Sequence, residues 1–232
     1  NKKIFTKNKL ENLYKNVNSI CCGSSTLKSW ANRYCQSTYY IQTTSKLNDQ
    51  KNFIKSNPHY LKKDKSKFKL GWIGTPITER YLDIVFAKYS DYLNENIISL
   101  HIMGSNKHHN LRNVYNYDWS EENEIKFLNE LNVGLMPLHN SPYEYYKCSF
   151  KIIQYMAFGI FSIASKIGNN LNVLNNPNVG HLVHDDNWEK PLNDIIKENI
   201  VINKDLIRKH YEKNYSYKNA VRNWKQLLSN YV

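Results

Sequence analysis

The chain has 232 residues, 41% of them apolar, with a formal net charge of +12, which suits one large domain, or one domain plus a fragment, with a sizeable buried core. Cys21, Cys22, Cys35 and Cys148 form neither a Cys-x-x-Cys pair nor a Cys/His metal spacing, so a zinc site is not expected and reduced thiols in a cytoplasmic compartment are. The N-terminus lacks a signal-peptide core and no apolar run approaches the about 20 residues that span a bilayer, so a soluble or at most peripheral chain is expected.

The charge is uneven: residues 1–70 hold 15 of the 32 Lys and Arg but only 3 of the 20 Asp and Glu, and the remainder is balanced. A solvated basic surface is the simplest account of that excess. If the segment has a partner, an acidic membrane surface fits better than nucleic acid, because no nucleic-acid module is recognisable in it.

In chain order, residues 18–25 resemble a strand ending in a Gly-Ser turn, 26–35 an amphipathic helix through Leu27, Trp30 and Ala31, and 38–41 a second strand. Together they make a βαβ unit over 17–42. Residues 43–67 are polar and charged, contain Asn57-Pro58 and have no period, as expected of a linker. A strand over 68–74 then opens the main domain, followed by a turn from Gly74 through Thr75 to Thr78, with Thr78 as the N-cap of a helix carrying Tyr81, Leu82, Val85 and Phe86. A strand, a glycine turn and a helix start let backbone approach phosphate, although one glycine can equally serve a plain tight turn.

The apolar run 97–103 predicts the next strand, ending at Gly104-Ser105, with His101 as a satisfied core histidine; His108 and His109 are incidental loop residues. Residues 114–117 predict a short strand, after which Asp118-Trp119-Ser120 leads into a helix capped by Ser120, with Glu121, Glu122 and Glu124 complementing the helix dipole. Residues 133–136 form another strand, closed by Pro137, that delivers the chain into a central stretch. There Ser149 is the expected N-cap of a helix through Phe158, Gly159 ends it, and 160–164 is a buried strand. Lys147 precedes that helix and Lys151 lies in its first turn, where the dipole disfavours cations. Such a conflict marks a candidate anion site, since an anion there would meet free N–H groups and two ammonium groups.

A strand at 179–183, a helix through Leu192, Ile195 and Ile196 capped by Asp185-Asp186, and two helices over 204–231 complete the chain. The adjacent aspartates are expected to cap rather than to bind metal, and the aromatic stripe of the last helices to pack. Strands alternating with helices argue an α/β domain built on a doubly wound parallel sheet.

The stretch Lys147-Cys148-x-x-Lys151-Ile152-Ile153-Gln154-Tyr155-Met156-Ala157-x-Gly159-Ile160, followed by Ala164-Ser165, Gly168 and Asn170, resembles the group 1 glycosyltransferases, the retaining branch of the GT-B fold. The resemblance implies a remnant of an N-terminal acceptor-side domain over 1–45, a linker over 46–67, a Rossmann-like nucleotide-sugar-binding domain over 68–200 and C-terminal helices over 201–232 that pack back on the N-terminal part. By it the chain looks truncated or split. It also implies transfer of a sugar from a nucleotide-diphosphate sugar donor to an acceptor, in surface polysaccharide or glycoconjugate synthesis, with no cofactor and no metal. Lys151, Lys147 and Glu144 would then be catalytic, and Gly74, Thr75, Arg80, Gln154, Gly104 and Tyr117 donor-binding.

Two departures stand out. Tyr146 and Gln154 occupy the places where many relatives carry glutamates eight apart, and Tyr146 replaces the glycine that often precedes the lysine. They leave open a non-catalytic relative that binds nucleotide or a partner. A basic protein of nucleic-acid or membrane surfaces rests only on the charge of residues 1–70.

Overall fold

The computed structural model describes residues 7–45, 67–106, 111–184 and 186–229, so the expected linker over 46–67 apart from Lys67, as well as His108, His109 and Asp185, lies outside the described residues. An unanticipated helix, α1 (Lys7–Lys15), precedes the expected βαβ unit of β1 (Ile20–Cys22), α2 (Ser25–Ala31) and β2 (Thr38–Tyr40). Its strands pair in parallel, Ile20 opposite Thr38 and Cys22 opposite Tyr40. Ser24 caps α2 by accepting the Leu27 N–H at 3.1 Å, so the helix starts a residue early and stops short of Cys35. All four cysteines are free.

The main sheet comprises β3 (Phe68–Ile73), β4 (Ile98–Met103), β5 (Val114–Tyr117), β6 (Val133–Met136), β7 (Phe161–Ser165) and β8 (Gly180–Val183), close to the predicted spans. All neighbours are parallel, in the order β5-β4-β3-β6-β7-β8. Every residue of β4 and β6 is buried, as near-continuous apolar runs demand when both faces of a parallel sheet are covered. The sheet grows outward in both directions from the β3/β6 junction. Right-handed crossovers therefore place the helices after β3 and after β6 on opposite faces, leaving a crevice at the strands' C-terminal ends.

The helix after β3 is α3 (Leu82–Asn94), and it is preceded by a 3-10 helix at Pro76–Tyr81. The cap is therefore Thr75, three residues earlier than the expected Thr78. Pro76 presets the first turn, and Thr78 sits inside it, its Oγ accepting the Thr75 N–H at 3.1 Å. Then come α4 (Glu121–Glu130), capped as expected by Ser120, α5 (Pro142–Tyr145), α6 (Phe150–Ala157), α7 (Asn170–Val173) and α8 (Glu189–Ile196). Asp186 does not cap α8. It sits at φ +53°, and the capping position falls to Trp188, which makes no side-chain cap bond. Tyr89 ties α3 to α8 by donating its hydroxyl to the Trp188 carbonyl at 3.1 Å.

The C-terminal pair is α9 (Lys204–Asn214) and α10 (Tyr217–Leu228). Tyr211 donates to the Ser45 carbonyl at 2.7 Å, so α9 reaches the N-terminal part. The aromatic stripe of α10 does not pack as expected: Leu227 is buried, but Trp224 is 42% exposed.

On the opposite face, α6 lies against β6 through Tyr155. Its fully buried ring covers the bare backbone of Gly134, where an added Cβ would fall 2.4 Å from a ring carbon, and its hydroxyl donates to the Leu135 carbonyl at 3.2 Å. Gly134→Ala is expected to lower stability by about 1–3 kcal/mol through overpacking, read as a reduced urea midpoint at unchanged slope. An unchanged midpoint would mean that α6 can shift on the sheet at no cost.

Candidate active site

The site is built where β3, β4 and β6 end. The Gly74 N–H donates to the Met103 carbonyl at 3.0 Å and the Gly104 N–H to the Tyr117 carbonyl at 3.2 Å. Gly104 sits at φ +80°, and a Cβ there would lie 2.3 Å from the Gly74 carbonyl oxygen. Only glycine satisfies both conditions, so the two turns predicted separately lie backbone against backbone. Thr75 stays at the exposed start of the 3-10 helix, engaged with Thr78.

Across the crevice, the loop 145–148 that carries Lys147 is held from two sides. From the βαβ unit, Ser24 Oγ donates to the Tyr146 carbonyl at 3.1 Å and Thr26 Oγ1 to the Tyr145 carbonyl at 3.0 Å; from the β7–α7 loop, Asn169 Nδ2 donates to the Cys148 carbonyl at 3.2 Å. Ser149 does not cap α6 with its side chain. It adopts the left-handed conformation at φ +62° and its Oγ donates to Asn170 Oδ1 at 2.7 Å. The strained residue turns the chain sharply into the helix and leaves the first N–H groups of α6 without a side-chain cap.

Lys147 and Lys151 come together over aromatic rings. Lys147 Nζ donates to the Tyr81 hydroxyl oxygen at 3.3 Å and lies 4.8 Å from the Tyr81 ring centroid and 5.1 Å from that of Tyr143, while Lys151 Nζ lies 5.3 Å from the Trp72 ring centroid. Burial, with repulsion from Lys147 second, lowers the Lys151 pKa to about 8. Burial also lowers that of Lys147, with Glu144 opposing and Arg80 reinforcing the shift.

Glu144 is 2% exposed. Its Oε1 accepts from the Tyr81 hydroxyl and its Oε2 from Ser141 Oγ, and Arg80 Nη2 lies 3.6 Å from Oε1. Burial alone would raise its pKa, but the bonds from Ser141 and Tyr81 and the charge of Lys147 outweigh it and hold the group at about 2. It is therefore a carboxylate with both oxygens engaged, bracing Tyr81. Tyr81, 1% exposed, is the residue that sequence reasoning missed: counted only as an apolar helix position, it joins Arg80, Glu144 and Lys147. Its hydroxyl gave no signal in the sequence pattern. On its far side the His139 ring meets it edge-on at 5.1 Å, beside a cleft of about 490 Å³ lined in part by His139, Lys166 and His184.

Gln154 and Tyr117 make their side-chain bonds away from the lysine pair. Gln154 is buried and its Nε2 donates to Glu124 Oε1. Glu124, the expected complement to the dipole of α4, is in addition buried, and burial raises its pKa. The Tyr117 hydroxyl bonds His101 Nδ1 at 2.9 Å, and His101 Nε2 bonds Ser99 Oγ at 2.8 Å, the satisfied core histidine that was expected. Among the described residues no group of three or more His, Cys, Asp or Glu is placed to hold a metal ion, and no helix is long and apolar enough to cross a membrane.

No family model matches the sequence, and no curated protein does. Solved structures do. TarM of S. aureus matches at TM-score 0.62 and 16% identity over 95% of this chain and 46% of its own. A glycosyltransferase from Rickettsia africae matches at 0.69 and 14% over 97% of this chain and 67% of its own. HepE of Anabaena, in a complex with UDP and glucose, matches at 0.68 and 11% over 96% of this chain and 66% of its own. The chain thus spans under half the length of TarM and about two thirds of the others. It shares the fold of the matched parts of these structures, in keeping with the C-terminal half of the GT-B architecture.

Because folding depresses the Lys151 pKa from 10.5 to about 8, the unfolded chain binds more protons between those values. The cost of burying the ammonium is complete below pH 8 and relieved as pH rises towards 10.5. Lys151→Met is accordingly expected to raise stability at pH 7 by on the order of 1–3 kcal/mol, with the gain shrinking as pH approaches 10.5, as measured by urea denaturation at both ends. A gain independent of pH would show that the ammonium is not desolvated.

Proposed function

We propose that this chain is the donor-binding part of a retaining glycosyltransferase, which transfers a sugar from a nucleotide-diphosphate sugar to an acceptor in surface polysaccharide or glycoconjugate synthesis. The observation that carries the reading is the lysine pair at the start of α6. Lys147 and Lys151 oppose each other and the helix dipole, and the nearby carboxylate, Glu144, is already engaged by Ser141, Tyr81 and Arg80. An anion would relieve that excess of positive charge. HepE, with which this chain shares its fold, has also been crystallised with UDP-glucose.

In the mechanism, the bond from the sugar to the diphosphate ionises and negative charge gathers on the leaving diphosphate. Lys147, Lys151 and the uncapped N–H groups of α6 stabilise that charge, with the Gly74 and Gly104 turns closing the opposite side. Arg80 and Glu144 hold Tyr81, and through it Lys147, in position. The two ammonium groups supply neutralisation within the chain itself, so no metal enters the scheme. The same reading takes residues 68–200 as the nucleotide-sugar domain and 46–67 as a linker, places the chain in the cytoplasm and lets the basic residues of 1–70 rest on an anionic membrane face. A second reading, a nucleotide-binding relative without turnover, is favoured by Gln154, whose amide is spent on Glu124.

Titration calorimetry with UDP, GDP and ADP in the presence of EDTA should show binding of at least one. A charge-assisted hydrogen bond contributes about 1.5–3 kcal/mol, so Lys151→Met should weaken it about 10- to 150-fold. Affinity should also fall as pH rises through 8, where Lys151 loses its proton. No heat with any of the three nucleotides would remove the donor-site reading.

A further inference from the structure

The cleft of about 490 Å³ beyond Tyr81 lies at the C-terminal ends of β6, β7 and β8. Ile84 of α3 and Trp188 at the start of α8 wall it, and Leu138, Ile167 and Val183, which the core already buries, form its apolar floor. That floor is fixed in place: Ser165 Oγ accepts the Leu138 N–H at 2.8 Å and donates back to the Leu138 carbonyl at 3.0 Å, tying the end of β6 to β7. The mouth is polar, with His139, Asn140, Lys166 and His184 all exposed. Lys166 Nζ donates to His184 Nδ1 at 3.2 Å. The imidazole then carries its proton on Nε2, and the ammonium keeps N–H groups for a further acceptor. Side chains able to donate thus outnumber Asp186, the one acid among the described lining residues. Donors around an apolar floor, in a volume ordinary for small-molecule sites, suit an oxyanion that carries an apolar body.

We propose that this cleft is a second ligand site, separate from the lysine pair, for a small organic oxyanion. Its phosphate or carboxylate oxygens accept from Lys166 and His184, and a body the size of one ring lies on Ile84, Leu138, Ile167 and Val183. The His139 ring, edge-on to Tyr81 at 5.1 Å, stands between this ligand and the Tyr81 hydroxyl that meets Lys147. None of the residues assigned to the donor lines the cleft, so the proposal goes beyond the donor-site reading and does not depend on it. Asp186 faces the same space as a like charge, and it tunes the affinity downwards.

The test is titration calorimetry of the whole chain with phenyl phosphate, benzoate and inorganic phosphate. At least one of the two aryl anions should bind the wild type about tenfold or more tightly than inorganic phosphate, because its ring leaves water for the apolar floor. Lys166→Met, at an exposed position where the fold is not at risk, should weaken that binding about tenfold. Asp186→Asn should tighten it several-fold, and asparagine tolerates the left-handed backbone at φ +53°. Lys151→Met should leave it unchanged. The proposal is overturned by a wild-type chain that binds neither aryl anion, or binds them no more tightly than inorganic phosphate. It is equally overturned if Lys166→Met binds like the wild type, if Asp186→Asn binds more weakly, or if Lys151→Met abolishes binding and so places the probe at the lysine pair. A failure of UDP to bind removes the donor-site reading alone.

Discussion

The seat of Tyr155 on the bare backbone of Gly134 sets where the candidate site lies. A parallel sheet covered on both faces needs a helix close against β6, and a ring can lie flat on a strand only where no Cβ intervenes. With Tyr155 locked there, the rest of α6 follows from helical geometry. Lys151, four residues earlier, falls one turn towards the C-terminal edge of the sheet, above Trp72 of the neighbouring β3. Gln154 beside it points to α4. The charged end of α6 and the bond from Gln154 to Glu124 of α4 both depend on this one contact between an aromatic ring and a glycine.

The second constraint is electrostatic. Arg80 and Lys147 flank Glu144 and Tyr81, Lys151 repels Lys147 from over Trp72, and the depressed pKa values of the two lysines mark a cost of holding them there. Stability alone would favour an uncharged residue at 151. The aromatic faces of Trp72, Tyr81 and Tyr143 lower the cost without balancing the charge, because a ring quadrupole attracts a cation but carries no net charge. Glu144 offsets part of it and at the same time fixes the Tyr81 hydroxyl on which Lys147 rests. Its place between Ser141 and Tyr81 makes it a structural anchor of the loop rather than a group facing the crevice.

The relation between Gln154 and Glu124 shows how a departure in one segment can be answered from another. The position at 154 is neutral here, yet a carboxylate stands beside it, contributed by α4 from thirty residues earlier. Nothing in the spacing of either stretch signals the pairing, since Glu124 in a first helical turn is already accounted for by the helix dipole. The same holds for Trp119, an exposed ring pinned by its bond to Glu124.

Residues close in sequence made much of this protein legible. The strands at 114–117 and 133–136 match their predicted spans, because short apolar runs bounded by turn residues have few other ways to bury themselves. The Ser120 cap, the helix through Ala157 ended by Gly159 at φ +72° and the alternation that makes the sheet parallel are equally local. The conflict between Lys151 and the helix dipole was visible too, because it depends only on position within one helix. Only the tertiary structure decided which distant groups meet. Ser149 gave up its capping role once Asn170 came within reach of its hydroxyl, and the Gly74 and Gly104 turns, far apart in sequence, closed on each other. Tyr81 became the junction of Arg80, Glu144 and Lys147 by the same route. A side chain's second partner, its burial and hence its pKa depend on what the opposite elements bring, and a one-dimensional pattern carries no information about that approach.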